Sequence, residues 1–234
     1  MATGSWKDFV VRRKESVTTT WRFRLTVLVL LVGTIWLSRG LWIPGIGDSL
    51  ICDEQIGPAD AILVDNSDQN YLAFEQAAAL RKAGLAPRAL VPTTADAKNS
   101  AVPNLVSREV VGVMAKVAWL GDFDVIPVRE VEPITLNIAY QVRDYVTKHH
   151  IRSMLITVSA FRSQRTMLVY EAAMRGTGVS MRCVPIRSEK DPEDWAHSLH
   201  GIQVVVEQFG KLLYYRWYVL PFKAARLNAT TAST

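Results

Sequence analysis

No glycine-rich phosphate loop follows the first β-like run of this chain, in either the Gly-x-Gly-x-x-Gly or the Walker form, so the usual dinucleotide and P-loop nucleotide sites are excluded. Metal-ligand material is equally thin. Two cysteines and four histidines include no His-Glu-x-x-His and no closely spaced cysteine pair, so no metal site is expected. Ser159 lacks the Gly-x-Ser-x-Gly surroundings of a nucleophile elbow, which leaves a Ser-His-Asp hydrolase without its signature. There is no internal repeat and no low-complexity tract apart from the polar end "NATTAST". The formal charge of +5 is no general basicity, because Lys7, Arg12, Arg13, Lys14, Arg22 and Arg24 concentrate it in the first segment. A nucleic-acid partner is therefore not indicated.

After the basic segment comes "LTVLVLLVGTIWLSRGLWI", Leu25 to Ile43, apolar apart from small hydroxyls and Arg39. Its length approaches the roughly 20 residues that cross hydrocarbon. Trp36 and Trp42 suit the interfacial belt beside a snorkelling Arg39. A cleaved signal peptide is the alternative, since the uninterrupted apolar part before Ser38 is short. However, no small-x-small site follows, and Ile51 stands before Cys52 where a lipoprotein signal wants a small residue. A single spanning helix is the favoured reading. With basic residues on its N-terminal side, the positive-inside tendency keeps residues 1–24 in the cytoplasm and exports everything after Ile43. The expected location is the inner (plasma) membrane, single-pass, with an extracytoplasmic C-terminal domain and the lipid bilayer as a partner. Cys52 and Cys183 then lie where disulfides are permitted, although Cys183 also reads as a small core residue of a strand.

The expected organisation is a basic N-terminus (1–24), an anchor (25–43), a Pro/Gly linker (44–57), a folded domain (58–222) and a polar tail (223–234). Inside the domain short β-like runs alternate with helical patterns. "AILVD", "RALVPT", "DVIPV", "SMLITVS" and "VSMRCVPI" are separated by helices that stop at Gly84, Gly121 and "RGTG". This predicts a Rossmann-like, three-layer α/β fold on a mainly parallel five-stranded sheet, with strands apolar enough to be covered on both faces. Ligands of such sheets bind beyond the carboxyl ends of the strands. The positions concerned are Asp65, Asn66 and Ser67, then Thr93 and Thr94, Arg129 to Glu132, and Ser159 to Arg165.

The last of these stretches, "VSAFRSQRTMLVYEA", joins the fourth strand to a helix. Arg162 and Arg165 are three residues apart near the helix start, where unpaired N–H groups attract anions and two guanidinium forks can grip a phosphate or carboxylate. The competing reading is a helix capped by Ser159 or Ser163, with arginines that are solvated or paired to local acids such as Glu171.

"RKAGLAPRALV", the Glu132/Asn137 pair in "VEPITLN", "VSAFRSQRTMLVY" and a late Trp before a long apolar helix together resemble the YdcF, SanA and ElyC group (domain of unknown function 218). The resemblance covers roughly Pro58 to Tyr218. It implies the same α/β fold, an N-terminal membrane anchor and a role in cell-envelope biogenesis or surface-polysaccharide handling. The family pattern of Ser, aromatic, His and Arg is met by Ser159, Phe161 and Arg165, with Arg162 at the His position. Glycine pairs of the family are replaced by "VDNSD" and "VPTTAD", and its Thr, Glu and Asn near Asn137 appear as Ile138, Tyr140 and Gln141. A guanidinium stays protonated and cannot serve as a general base, which favours anion binding over catalysis. The expected ligand-binding residues are Asp65, Asn66, Asn137, Ser159, Phe161, Arg162 and Arg165, for an anionic envelope precursor such as a lipid-linked phosphate. The enzymatic alternative is an envelope transferase or hydrolase using Glu132 as acid or base. No cofactor is specified.

Two further stretches have bland readings. His149 and His150 complement the dipole at a helix end, and His197 and His200 lie near Asp191, Glu193 and Asp194 without forming a metal motif. "GIQVVVEQFGKLLYYRWYVLPF", Gly201 to Phe222, is expected to be a long helix covering the sheet, with membrane contact through its aromatics as a second reading.

Overall fold

The computed structural model describes residues 20–67, 71–187 and 192–224. The basic residues Lys7 to Lys14, Asp191 and nearly all of the polar tail lie outside the described residues, as does the side chain of Glu193. The chain divides into two units, Met1–Trp42 and Ile43–Thr234.

In the first unit, helix α1 (Trp21–Leu37) buries none of its residues. Thr26 and Thr34 donate their hydroxyls to the carbonyls of Arg22 and Leu30, four residues back, so these polar groups are satisfied within the helix. The continuous helix expected over Leu25 to Ile43 is interrupted. Ser38 ends α1 with its hydroxyl on the Ile35 carbonyl, Gly40 follows, and α2 (Arg39–Asp48) starts anew. Back-bonding hydroxyls and a nearby glycine are common causes of such breaks. Arg39 lies over the Trp36 ring at 4.6 Å, and Trp42 donates its indole N–H to the Ile35 carbonyl at 3.2 Å. No single described helix is long and apolar enough to cross a membrane; α1 and α2 reach that length and apolarity only as a bent pair, by length and composition alone.

The second unit is a five-stranded sheet of β1 (Ala61–Val64), β2 (Arg88–Thr94), β3 (Asp124–Val128), β4 (Ser153–Ser159) and β5 (Ser180–Ile186), in the order β3-β2-β1-β4-β5 and parallel throughout. Its helices are α3 (Tyr71–Lys82), α4 (Leu105–Val117), α5 (Ile134–Lys148), α6 (Ala160–Met174) and α7 (Leu199–Tyr214), the last continued by a π-helical stretch, Tyr215–Ala224. β1 is buried along its whole length because both faces are covered, and period-two alternation sorts its side chains into two cores. Ile62 and Val64 join Phe74, Ala77, Val111 and Ala115 of α3 and α4. Ala61 and Leu63 join Leu136, Val142, Val169 and Ala173 of α5 and α6, with Tyr215 and Val219. This is the three-layer, Rossmann-like layout. The order reverses between β1 and β4, which opens a crevice at their carboxyl ends.

The segment expected as a Pro/Gly linker (44–57) is docked on the domain. Leu50 and Ile46 pack with Val205, Leu212, Phe161 and Trp195, and the backbone N–H of Cys52 donates to the Ser163 hydroxyl at 2.8 Å. Gln55 donates to the Cys183 carbonyl, and a Cys52–Cys183 disulfide joins the segment to β5 across a sequence separation of 131. Cys183 is thus a strand residue and a bridge partner at once.

Candidate functional site

Beyond the carboxyl ends of β1, β4 and β5 lies a cavity of about 1340 Å³, walled by the start of α6, the β3–α5 loop, the 3-10 turn Pro192–His197 and α7. The residues lining it include Ser67 after β1, Glu132 after β3, and Ser159, Phe161, Arg162 and Arg165 after β4. The structure therefore gathers residues from three separate sheet-edge loops, as the parallel-sheet reading requires. Trp195, His200, Gln208, Lys211 and Tyr215 complete much of its lining.

Both arginines are nearly inaccessible, Arg162 at 6% exposure and Arg165 at 5%, which overturns the picture of solvated side chains. Nor is the acid that meets Arg162 the one expected. Asp65, just after β1, approaches Arg162 at 3.4 Å, because β1 and β4 are hydrogen-bonded neighbours and their ends meet. The other carboxylate oxygen of Asp65 accepts from the Ser67 hydroxyl at 2.5 Å and from the Ser67 N–H at 3.1 Å. Asp65 is accordingly a residue that fixes Arg162. Arg165 donates to the Thr135 hydroxyl at 3.0 Å and to the Gln208 side-chain carbonyl at 3.1 Å, and its guanidinium lies 5.4 Å from the Tyr215 ring centre. Such partners hold a planar fork in one orientation, so a ligand meeting it finds the donors already placed.

Electrostatics at the wall reflect these cations. Glu207 is held below its ordinary carboxyl value first by the hydrogen bond and charge of Lys211, with Arg165 and Arg162 adding to the effect while burial opposes it. Behind the site, burial pushes the Tyr170 phenol well up, Asp65 adds to that shift and Arg162 opposes it. Tyr170 stays neutral under ordinary conditions.

Other expected residues have structural duties. Asn137 donates to the carbonyls of Val131 and Pro133 and ties the β3–α5 loop to α5; it does not line the cavity. Asn66 stands next to Asp65, outside the cavity lining, with its buried side-chain oxygen lacking a hydrogen-bond partner among the described residues. Ser159 occupies the N-cap position of α6 without a side-chain capping bond. Ser163 instead accepts from Cys52 and donates to the Ala160 carbonyl at 2.6 Å, anchoring the linker. Glu132 is exposed at the cavity rim.

Sequence reasoning missed Gln208, Thr135, Trp195 and Lys211. One signal was available for Gln208: an amide in the middle of an otherwise apolar stretch, "VVVEQFG". Trp195 is wedged in place by two glycines. A Cβ on Gly47 would stand 2.6 Å from the indole nitrogen, and one on Gly201 would collide with the Trp195 backbone. His197 and Asp194 are 3.4 Å apart and mostly solvent-exposed at the rim. Among the described residues no group of three or more His, Cys, Asp or Glu side chains is placed to hold a metal ion. Chemically, the cavity combines rigid cationic donors at its base with aromatic walls from Phe161, Trp195, Tyr214 and Tyr215.

Compared with protein families, characterised proteins and solved structures, the chain finds no match.

Proposed function

We propose that this protein is a membrane-anchored, extracytoplasmic binding protein of the YdcF, SanA and ElyC type, which holds an anionic cell-envelope precursor in the cavity at the sheet edge. The observation that carries this reading is the convergence of Arg162 and Arg165 with aromatic walls in one cavity of about 1340 Å³. Oriented cations suit a phosphate or carboxylate, and aromatic walls suit an apolar or glycan portion of the same molecule. Export is supported by the Cys52–Cys183 bridge, which belongs to oxidising compartments, and by the basic residues preceding the apolar segment. The outer face of α7 exposes Leu199, Ile202, Val206 and Leu213, followed by Trp217 and Phe222, a composition suited to lying at a bilayer surface. Envelope biogenesis or surface-polysaccharide handling follows from the family resemblance and this placement.

An envelope transferase or hydrolase is the second reading, because Glu132 reaches the same cavity. Arg162 at the position of the family histidine favours binding, since it offers no proton acceptor. The test is affinity for farnesyl phosphate, and for inorganic phosphate alone, measured on the full chain with thermal unfolding as a folding control. Arg162→Ala and Arg165→Ala should each weaken farnesyl phosphate binding by about tenfold or more, the scale of a hydrogen bond to a charged group. Arg165→Lys should restore only part of the loss, because an ammonium does not reproduce the fork. Unchanged affinity in the double alanine variant refutes the reading; turnover of the phosphate that Glu132→Gln abolishes favours the enzyme.

A further inference from the structure

We infer that two copies of this chain associate through α4, packed antiparallel about a two-fold axis level with Gly112 and Val113. Helix α4 buries Val111 and Ala115 against the sheet and turns a second apolar stripe outward. Leu105, Val106, Val113 and Val117 are all more than half exposed, and Trp119, just past the helix, is 91% exposed. A helix that needs only to cover a sheet requires one apolar face. This one has two.

Trp119 strengthens the point. The helix ends with Trp119 N–H on the Lys116 carbonyl and Leu120 N–H on the Ala115 carbonyl, a termination whose central residue is ordinarily glycine. Trp119 takes that place at φ 57°, the left-handed region that disfavours a bulky side chain. Its backbone strain holds an indole out in solvent at the end of the stripe.

The charges on the stripe's flank identify what covers it. Glu109 and Lys116 are seven residues apart and so project on nearly the same side of the helix, about 10 Å from one another along the axis. Both are exposed, and among the described residues neither has an ion-pair partner within the chain. In an antiparallel pair related by a two-fold axis between Gly112 and Val113, Glu109 of each copy stands opposite Lys116 of the other, and the contact occurs twice. The same axis brings Val106 of one copy toward Trp119 of the other. A parallel pair sets Glu109 against Glu109, which selects the antiparallel arrangement. No α4 residue lines the sheet-edge cavity, so the association leaves that site open and is independent of its ligand.

A charge-swap series on the full chain tests the inference, with association measured by sedimentation in detergent. Glu109→Lys and Lys116→Glu should each weaken the dimer by about tenfold, because each loses two rim ion pairs and gains two like-charge contacts. The double swap should restore wild-type association to within about twofold, since it rebuilds both pairs with reversed polarity. Val113→Cys should give an oxidised dimer in the membranes of producing cells, whereas Val206→Cys on α7 should not. A wild-type chain that stays monomeric at micromolar concentration, or a double swap no better than the single variants, overturns the proposal. Should a charge reversal impair folding, the Val113→Cys cross-link decides, and its absence counts against the two-fold pair.

Discussion

The Cys52–Cys183 bridge offers the most quantitative test of how the linker is held. It closes a sequence separation of 131, and in the chain-entropy treatment a loop of that size restricts the unfolded state by about 5 kcal/mol. Replacing both cysteines by serine removes this restriction while leaving the noncovalent anchors, Cys52 N–H to Ser163, Gln55 to Cys183 and Leu50 in its small core, available to form. Native bridges usually contribute about 2 to 5 kcal/mol, and in a domain of this size each kcal/mol moves the melting temperature by roughly 2 to 4 °C. The double serine variant should therefore melt on the order of 10 °C lower, read by circular dichroism on the full chain in detergent. Treatment of the wild type with a reductant should reproduce the shift, and reductant should leave the variant unaffected. A drop of less than about 3 °C would refute the reasoning. It would show that the noncovalent contacts already restrict the linker in the unfolded ensemble or that the bridge is strained in the native one.

Two further expectations concern the domain edge and the topology. Asp60 accepts hydrogen bonds from the backbone N–H groups of Arg152 and Ser153 at 2.8 and 2.9 Å, and these bonds hold its carboxyl below the ordinary value. Its stabilisation is fully present above the ordinary carboxylate pKa near 4 and is lost as the pH falls through the lowered folded-state value. Asp60→Ala should destabilise the domain slightly at pH 7, and the gap from wild type, measured by denaturant unfolding, should close in strong acid; a gap that widens on acidification contradicts the sign. A reporter active only after export, fused behind Thr234, should be active, because the basic residues precede the apolar segment. Cytoplasmic activity would remove the topology on which the envelope reading rests.

Much of the sheet is legible in the sequence because its strands are short, nearly continuous apolar runs between glycine-stopped helices. "SMLITVS" forms β4 with the same bounds, and "DVIPV" forms β3. The edge at which the cavity lies follows from parallel-sheet geometry. What local sequence does not encode is which strands are neighbours. Local sequence offers Arg162 an acid on its own helix, Glu171, while the acid it meets comes from the end of β1, because strand order lies in long-range packing. The break at Ser38 is hidden for the opposite reason: Leu25 to Ile43 is apolar but for small hydroxyls and Arg39, and the interruption depends on one hydroxyl and one glycine. The C-terminal apolar stretch reads as one cover for the sheet. It is an α-helix that continues into a π-helical stretch containing Pro221, with Tyr215 and Val219 entering the core and Gln208 reaching Arg165.

The two arginines at the head of α6 answer a physical difficulty. Cations near a helix N-terminus oppose its dipole, and burying them adds a desolvation cost. Arg162 is compensated by Asp65, a carboxylate delivered by the end of β1, the hydrogen-bonded neighbour of β4. Arg165 is oriented by Thr135 from the β3–α5 loop, by Gln208 from α7 and by the Tyr215 ring. Each guanidinium is thus held by elements distant in sequence, an arrangement that a simple helix cap would not require. Capping alone would be met by a serine bond to the first turn, and Ser159 makes none. Holding two cations rigid against both dipole and burial is consistent with a site whose ligand supplies the remaining negative charge. The binding of farnesyl phosphate, compared with inorganic phosphate, measures that charge together with the contribution of the aromatic walls.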